Sequence, residues 1–194
     1  MAYCTTAQVK TYLSISGSGD DSLLADLISR AESLINRYTH RTFEAAADSD
    51  RTFDALRDVE GQVLYLDEDL AAITTVTNGD SANTVITSGQ YTTEPRNTTP
   101  YYALRILDSS GLAWEYDSDP EDAITITGRW AYSTTAPTDI EHACIALTAW
   151  LYRRRSSIGN DSDRALATGD GVVILPGRIP QDIKSVLDVY RVLT

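Results

Sequence analysis

The spacing of apolar residues changes twice along this chain, and those changes limit the folds open to it. Leu24, Leu27, Ile28, Ala31, Leu34, Ile35 and Tyr38 recur every three or four positions, which places them on one face of a helix. From about Arg51 to Ser133 the period falls to two and β-branched residues accumulate. Residues 63–66, 73–77, 101–107 and 123–130 read as strands, with Ile124, Ile126 and Trp130 sharing one face. Turn signals at Asn78-Gly79-Asp80, Asp108-Ser109-Ser110-Gly111 and Asp119-Pro120 separate them. After Pro137 the helical period returns in Ile140, Ala143, Cys144, Leu147, Trp150 and Leu151. This order predicts an α+β protein. Its N- and C-terminal helices form a discontinuous helical core over residues 1–45 and 136–194, and an antiparallel β-rich block of hairpins is inserted over 46–135.

Local signals place the helix ends. Thr5 and Gln8 have capping-box spacing ahead of Val9, Tyr12 and Leu13. Ser16-Gly17-Ser18-Gly19 breaks that helix, and Asp20 or Asp21 caps a second one that runs to about Thr39. Asp139 caps the third. It is amphipathic and ends in Trp150-Leu151-Tyr152-Arg153-Arg154-Arg155, where positive charge suits the helix dipole. Residues 156–171 are polar and contain glycine, as expected of a mobile connecting loop. A short apolar run follows at 172–175. A last helix starts near Pro180 with Ile183, Val186, Leu187, Tyr190 and Leu193 as its apolar positions.

The chain of 194 residues has a net charge of −12. Such a chain does not hold DNA by neutralising phosphates. It could line a path to which DNA does not stick. Cys4 and Cys144 are the two cysteines, too few for a disulfide framework, and a reducing compartment is expected. No apolar run approaches the ~20 residues of a membrane span, and the first residues lack a signal-peptide pattern.

Signals for chemistry are poor. His40 and His142 have no ligand company at metal-binding spacing, so no catalytic, metal or cofactor site is expected. Asp67-Glu68-Asp69 could do acid–base work or hold a divalent ion, but it lacks the spaced ligands of a calcium loop and reads as a solvated turn. Gly17-Ser18-Gly19 lacks the Gly-Lys-Ser/Thr of a phosphate loop, and Asp20-Asp21 would repel phosphate. Arg153, Arg154 and Arg155 form the main basic cluster. They are either a charged helix end or a contact with an acidic neighbouring surface, such as another copy of this chain.

Taken in order, several segments resemble the head–tail connector (head-completion, or adaptor) proteins of long-tailed bacteriophages. They begin with Ala7-Gln8-Val9-Lys10-Thr11-Tyr12-Leu13, Asp20-Asp21-Ser22-Leu23-Leu24, Ala31-Glu32-Ser33-Leu34-Ile35 and Tyr38-Thr39-His40-Arg41-Thr42-Phe43. Glu94-Pro95-Arg96-Asn97 and Thr125-Ile126-Thr127-Gly128-Arg129-Trp130 follow in the middle. Ala149-Trp150-Leu151-Tyr152-Arg153-Arg154-Arg155, Ile179-Pro180-Gln181-Asp182-Ile183 and Leu187-Asp188-Val189-Tyr190-Arg191 close the series. The resemblance covers nearly the whole chain, although the β-block is longer than in compact members.

The resemblance implies a structural virion protein that is not an enzyme; the alternatives are another virion ring component (a tail terminator or packaging subunit) and a small hydrolase using a carboxylate pair such as Asp67 and Asp69. It implies a homo-oligomeric ring of about twelve copies beneath the portal protein. That ring extends the DNA channel without specific DNA binding and gives the tail or a stopper (tail-completion) protein its docking surface. The protein would be assembled in the host cytoplasm and reside at the virion neck. Members reach toward the portal with their C-terminal segment, which falls here on Ile183, Leu187, Tyr190, Arg191 and Leu193. Closing the monomer's own core is the other role open to these residues.

Overall fold

The computed structural model describes residues 2–157, 166–167, 173–174 and 179–192. The chain divides into two units: Arg41–Ala136, and Ala2–His40 with Pro137–Thr194. With four helices and antiparallel sheets among the described residues, the protein is α+β.

The helical unit contains α1 (Thr6–Leu13), α2 (Asp21–Thr39), α3 (Thr138–Ser157) and α4 (Gln181–Asp188). Thr5 and Gln8 form the expected capping box on α1. Helix α2 buries Leu24, Ile28, Ala31 and Ile35, and each large side chain among them contributes about 1.5–3 kcal/mol of transfer free energy. Its stripe is narrower than its sequence suggests, because Leu27, Leu34 and Tyr38 are half-buried. Asp20 is the N-cap of α2, but its side chain makes no cap hydrogen bond; it is engaged elsewhere. Helix α3 is the central helix. It packs against α1, α2 and α4, and therefore buries Ile145, Thr148 and Ala149 in addition to Ile140, Ala143, Cys144, Leu147 and Leu151. The expected single apolar face is thus too narrow. Pro180 caps α4 rather than sitting in its first turn. A two-residue strand, Leu166–Ala167, pairs with Val173–Ile174, so part of the expected connecting loop 156–171 is strand and residues 156–157 are helix. Residues 158–165 and 168–171 of that loop lie outside the described residues, as do Val172 and Leu175 of the apolar run.

In the β unit, β1 (Ser49–Phe53), β4 (Ala72–Thr77) and β7 (Ile124–Arg129) form one antiparallel sheet in the order β1-β7-β4. A second contains β2 (Val59–Glu60), β3 (Val63–Leu70), β5 (Tyr91–Glu94) and β6 (Tyr101–Ile106) in the order β2-β3-β6-β5. The expected run of hairpins is only partly present. β2–β3 and β5–β6 pair consecutive strands, whereas β1–β7, β4–β7 and β3–β6 pair distant ones. The two sheets share one core, which includes Phe53, Leu64, Leu70, Val76, Leu104, Ile106, Ile124, Ile126 and Trp130.

Asp67, Glu68 and Asp69 lie inside β3, not in a turn. Arginines explain how three acids persist there. Arg51 on β1 bridges to Asp67 (3.2 Å) and Glu68 (2.7 Å), and Arg41 bridges to Asp69 at 2.5 Å. The Arg51 guanidinium also lies 4.9 Å above the Trp130 ring, a cation–π contact.

Candidate subunit-contact surfaces

The last turns of α3 sort the basic cluster by residue. Arg153 is exposed and makes no ion pair among the described residues. Arg154 is half-buried, with its guanidinium 5.3 Å above the ring of Trp150 one turn earlier. Arg155 is helical, and its side chain lies outside what is described. Tyr152 turns the other way and donates its hydroxyl to Asp20 Oδ2 at 2.6 Å. Among the described side chains of the cluster, Arg153 is thus the exposed one.

The C-terminal segment sorts in the same way. Ile183 and Leu187 are buried in the helical unit's own core, Leu187 completely. Beyond them, Tyr190 is half-buried with its hydroxyl 3.5 Å from Asp139, and Arg191 is exposed with its guanidinium 5.5 Å above the Tyr38 ring. The Tyr38 hydroxyl donates to Asp188. Val192 donates its backbone N–H to the Thr39 carbonyl at 3.0 Å, holding the end of the described chain against the end of α2. Leu193 lies outside the described residues. Val189 escapes the sequence reading, although it is the most exposed large apolar residue of the described chain at 82 %. It follows the last helical residue, where the helical period no longer decides which way a side chain faces.

Charge is divided unevenly. The Arg41–Ala136 unit holds 17 of the 28 acidic residues and six of the 16 basic ones, so −11 of the net −12 resides there. Glu115, Asp117, Asp119, Glu121 and Asp122 follow one another on an exposed stretch beside exposed Tyr116. Among the described residues no group of three or more His, Cys, Asp or Glu side chains is arranged to hold a metal. His40 is the left-handed C-cap of α2 and His142 is an exposed residue of α3. No described helix is long and apolar enough to cross a membrane.

Against known proteins, the family model described as head completion protein (HCP) matches residues 2–193. No curated protein sequence matches the chain. Solved structures share its fold, among them two from gene transfer agent particles. A chain from the neck of an empty gene transfer agent particle, computed with C6 symmetry, is 13 % identical with a TM-score of 0.56. A chain from the virion of a native gene transfer agent particle is 17 % identical with a TM-score of 0.59. Each comparison covers 97 % of this chain and 89 % of the other.

Proposed function

The chain belongs to the head completion protein family, and from that premise we propose that it is a structural adaptor of the virion neck. Copies of it close into a ring beneath the portal, extend the DNA channel, and present a docking surface to the tail or to a stopper protein. The family match over residues 2–193 carries this reading. The likeness to a chain from a particle neck computed with C6 symmetry supports it, and a ring of about twelve copies suits such symmetry.

The charge distribution supports a channel role. DNA binds proteins chiefly through its phosphates, and a unit of charge −11 repels them. The same acidic surface offers a partner for Arg153 of an adjacent copy. In the C-terminal segment, Val189, Tyr190 and Arg191 are the portal-facing residues, while Ile183 and Leu187 hold α4 in place. The chain is not an enzyme on this reading. The dense carboxylate cluster in β3, Asp67 to Asp69, is bound to Arg51 and Arg41. It is assembled in the host cytoplasm and resides at the neck.

The test is to mix purified chain with the cognate portal protein and image the product by electron cryomicroscopy. A ring stacked on the portal is expected, with matching density in the mature particle. A portal that stays bare in both preparations would sink the proposal.

A further inference from the structure

The two cysteines are 140 positions apart in sequence, yet their sulfurs lie 3.2 Å from each other in the helical unit. Both are free thiols and both are buried, Cys4 at 2 % and Cys144 at 0 % exposure. Cys4 immediately precedes the N-cap of α1, and Cys144 sits on the central helix α3. The segment carrying Cys4 is held in place independently. Tyr3 donates its backbone N–H to Glu32 and its hydroxyl to Asn36 Oδ1 at 2.7 Å. The sulfurs are thus presented to each other by two fixed elements, and bond formation needs an approach of only about 1 Å, to the ~2.05 Å of a disulfide.

A third group completes the cluster. Thr148, one turn after Cys144, is fully buried, and its hydroxyl has no hydrogen-bond partner among the described residues. The thiols are also unequal. The Cys144 thiol beside Cys4 draws the Cys4 pKa below the ordinary thiol value, while Cys4 and burial push Cys144 up. Either sulfur can attack, because the other already lies 3.2 Å away to resolve the product.

We propose that Cys4 and Cys144 are an oxidation site that closes into an intramolecular disulfide on contact with a peroxide. The thiolate of one cysteine attacks one oxygen of hydrogen peroxide, the O–O bond breaks, and hydroxide leaves and takes up a proton as water. The resulting sulfenic acid is attacked by the sulfur of the other cysteine. An S–S bond forms, the S–OH bond breaks, and the second thiol's proton leaves with the hydroxyl as a second water. Two thiols are oxidised and one peroxide is reduced. A peroxide is small enough to reach buried sulfurs through local opening. The bond ties the N-terminal segment to α3. In a particle assembled in a reducing cytoplasm and then released, it would form after assembly. That timing rests on the neck reading; the chemistry does not.

The isolated full-length chain tests the chemistry alone. After mild hydrogen peroxide treatment and denaturation, both thiols should resist alkylation and the intact monomer should be lighter by two hydrogens. Dithiothreitol should reverse both changes. The oxidised chain should melt at least about 5 °C above the reduced one. Cys4→Ser and Cys144→Ala should each gain no peroxide-induced rise in melting temperature. Retention of both thiols, addition of oxygen without cross-linking, disulfide-linked dimers, or a lower melting temperature for the oxidised chain would each overturn the proposal.

Discussion

The Tyr152 hydroxyl donates to Asp20 Oδ2 at 2.6 Å, joining the end of α3 to the start of α2 across 132 positions of sequence. Asp20 occupies the N-cap of α2 yet makes no cap bond. Its carboxylate takes the tyrosine instead, and keeps its negative charge at the positive end of the helix dipole. Tyr152→Phe should lower stability by about 1–2 kcal/mol, the usual worth of a hydrogen bond to a charged, partly buried acceptor. Asp20→Ala should cost at least as much. The double variant should cost less than the two losses added together. Urea midpoints at constant m-value measure all three, and strict additivity would show that the contact contributes nothing.

Gly128 pairs with Ile73 beside an irregularity in the register of β4 with β7. A Cβ placed on it would come 2.3 Å from the Ala72 carbonyl oxygen and 3.0 Å from Leu70 Cδ1. The first obstacle is backbone and cannot swing aside. Gly128→Ala should therefore destabilise the β unit by roughly 1–3 kcal/mol, the usual range for overpacking, despite the better strand propensity of alanine. A thermal melt that matches the parent would show that β4 can shift at no cost.

The helices were readable from their period, and on α1 the capping box of Thr5 and Gln8 agrees with it, whereas Asp139, expected to cap α3, lies in its first turn. Strands β4 and β7 announced themselves through β-branched runs, and β3 and β6 through short aliphatic and aromatic ones. Strands β1 and β5 did not. Ser49–Phe53 and Tyr91–Glu94 carry few apolar residues, and they are strands because the sheets pair them with Ile124–Arg129 and Tyr101–Ile106. The same non-local cause misled the reading of Asp67–Asp69. Nothing local reveals that Arg51 and Arg41 will stand opposite. For the contact surfaces, sequence showed the basic cluster but not its sorting. Which arginine lies over Trp150 and which points outward depends on what α3 packs against.

Acid should act mainly on the β unit. Thr84 holds the Asp80 carboxyl below its usual pKa through its side chain (2.6 Å) and backbone N–H (2.7 Å). Thr74, with Arg129, does the same for Asp48, and Arg57 for Asp58. A lowered folded-state pKa means stability that is fully present above the unfolded value, near 4. It is lost as pH falls through the folded values, because the unfolded chain takes up protons first. Urea midpoints should hold down to about pH 5 and then fall steadily. Asp80→Asn should be less stable than the parent at neutral pH and should lose less on acidification. Parallel pH profiles for the two proteins would remove Asp80 from this account.

The C-terminal segment should separate into core and contact residues. Leu187 is fully buried, so Leu187→Ala should cost about 2–5 kcal/mol in the isolated chain. Val189 is almost fully exposed, so Val189→Asp should leave stability within about 0.5 kcal/mol. If this segment meets the portal, however, Val189→Asp should weaken that binding several-fold, since the acid would be desolvated at the contact. Denaturation and portal pull-down on the same two variants read both quantities. Full portal binding by Val189→Asp would remove this residue from the contact.

The arginines at the end of α3 give the sharpest separation of fold from assembly. As a helix end, each is worth about 0.3–1 kcal/mol through the dipole, and Arg154 adds its stacking on Trp150. Arg153→Glu should therefore cost the isolated chain little. In a ring it should cost far more, because reversal places like charges together where the adjacent copy presents part of a −11 unit. Assembly on the portal should become strongly salt-dependent in the parent and should fail in the Arg153→Glu variant and in the variant reversed at Arg153, Arg154 and Arg155. Sedimentation of portal mixtures across a salt series decides this. If the triple reversal assembles as the parent does at every salt concentration, the cluster is a helix cap and the ring contact lies elsewhere.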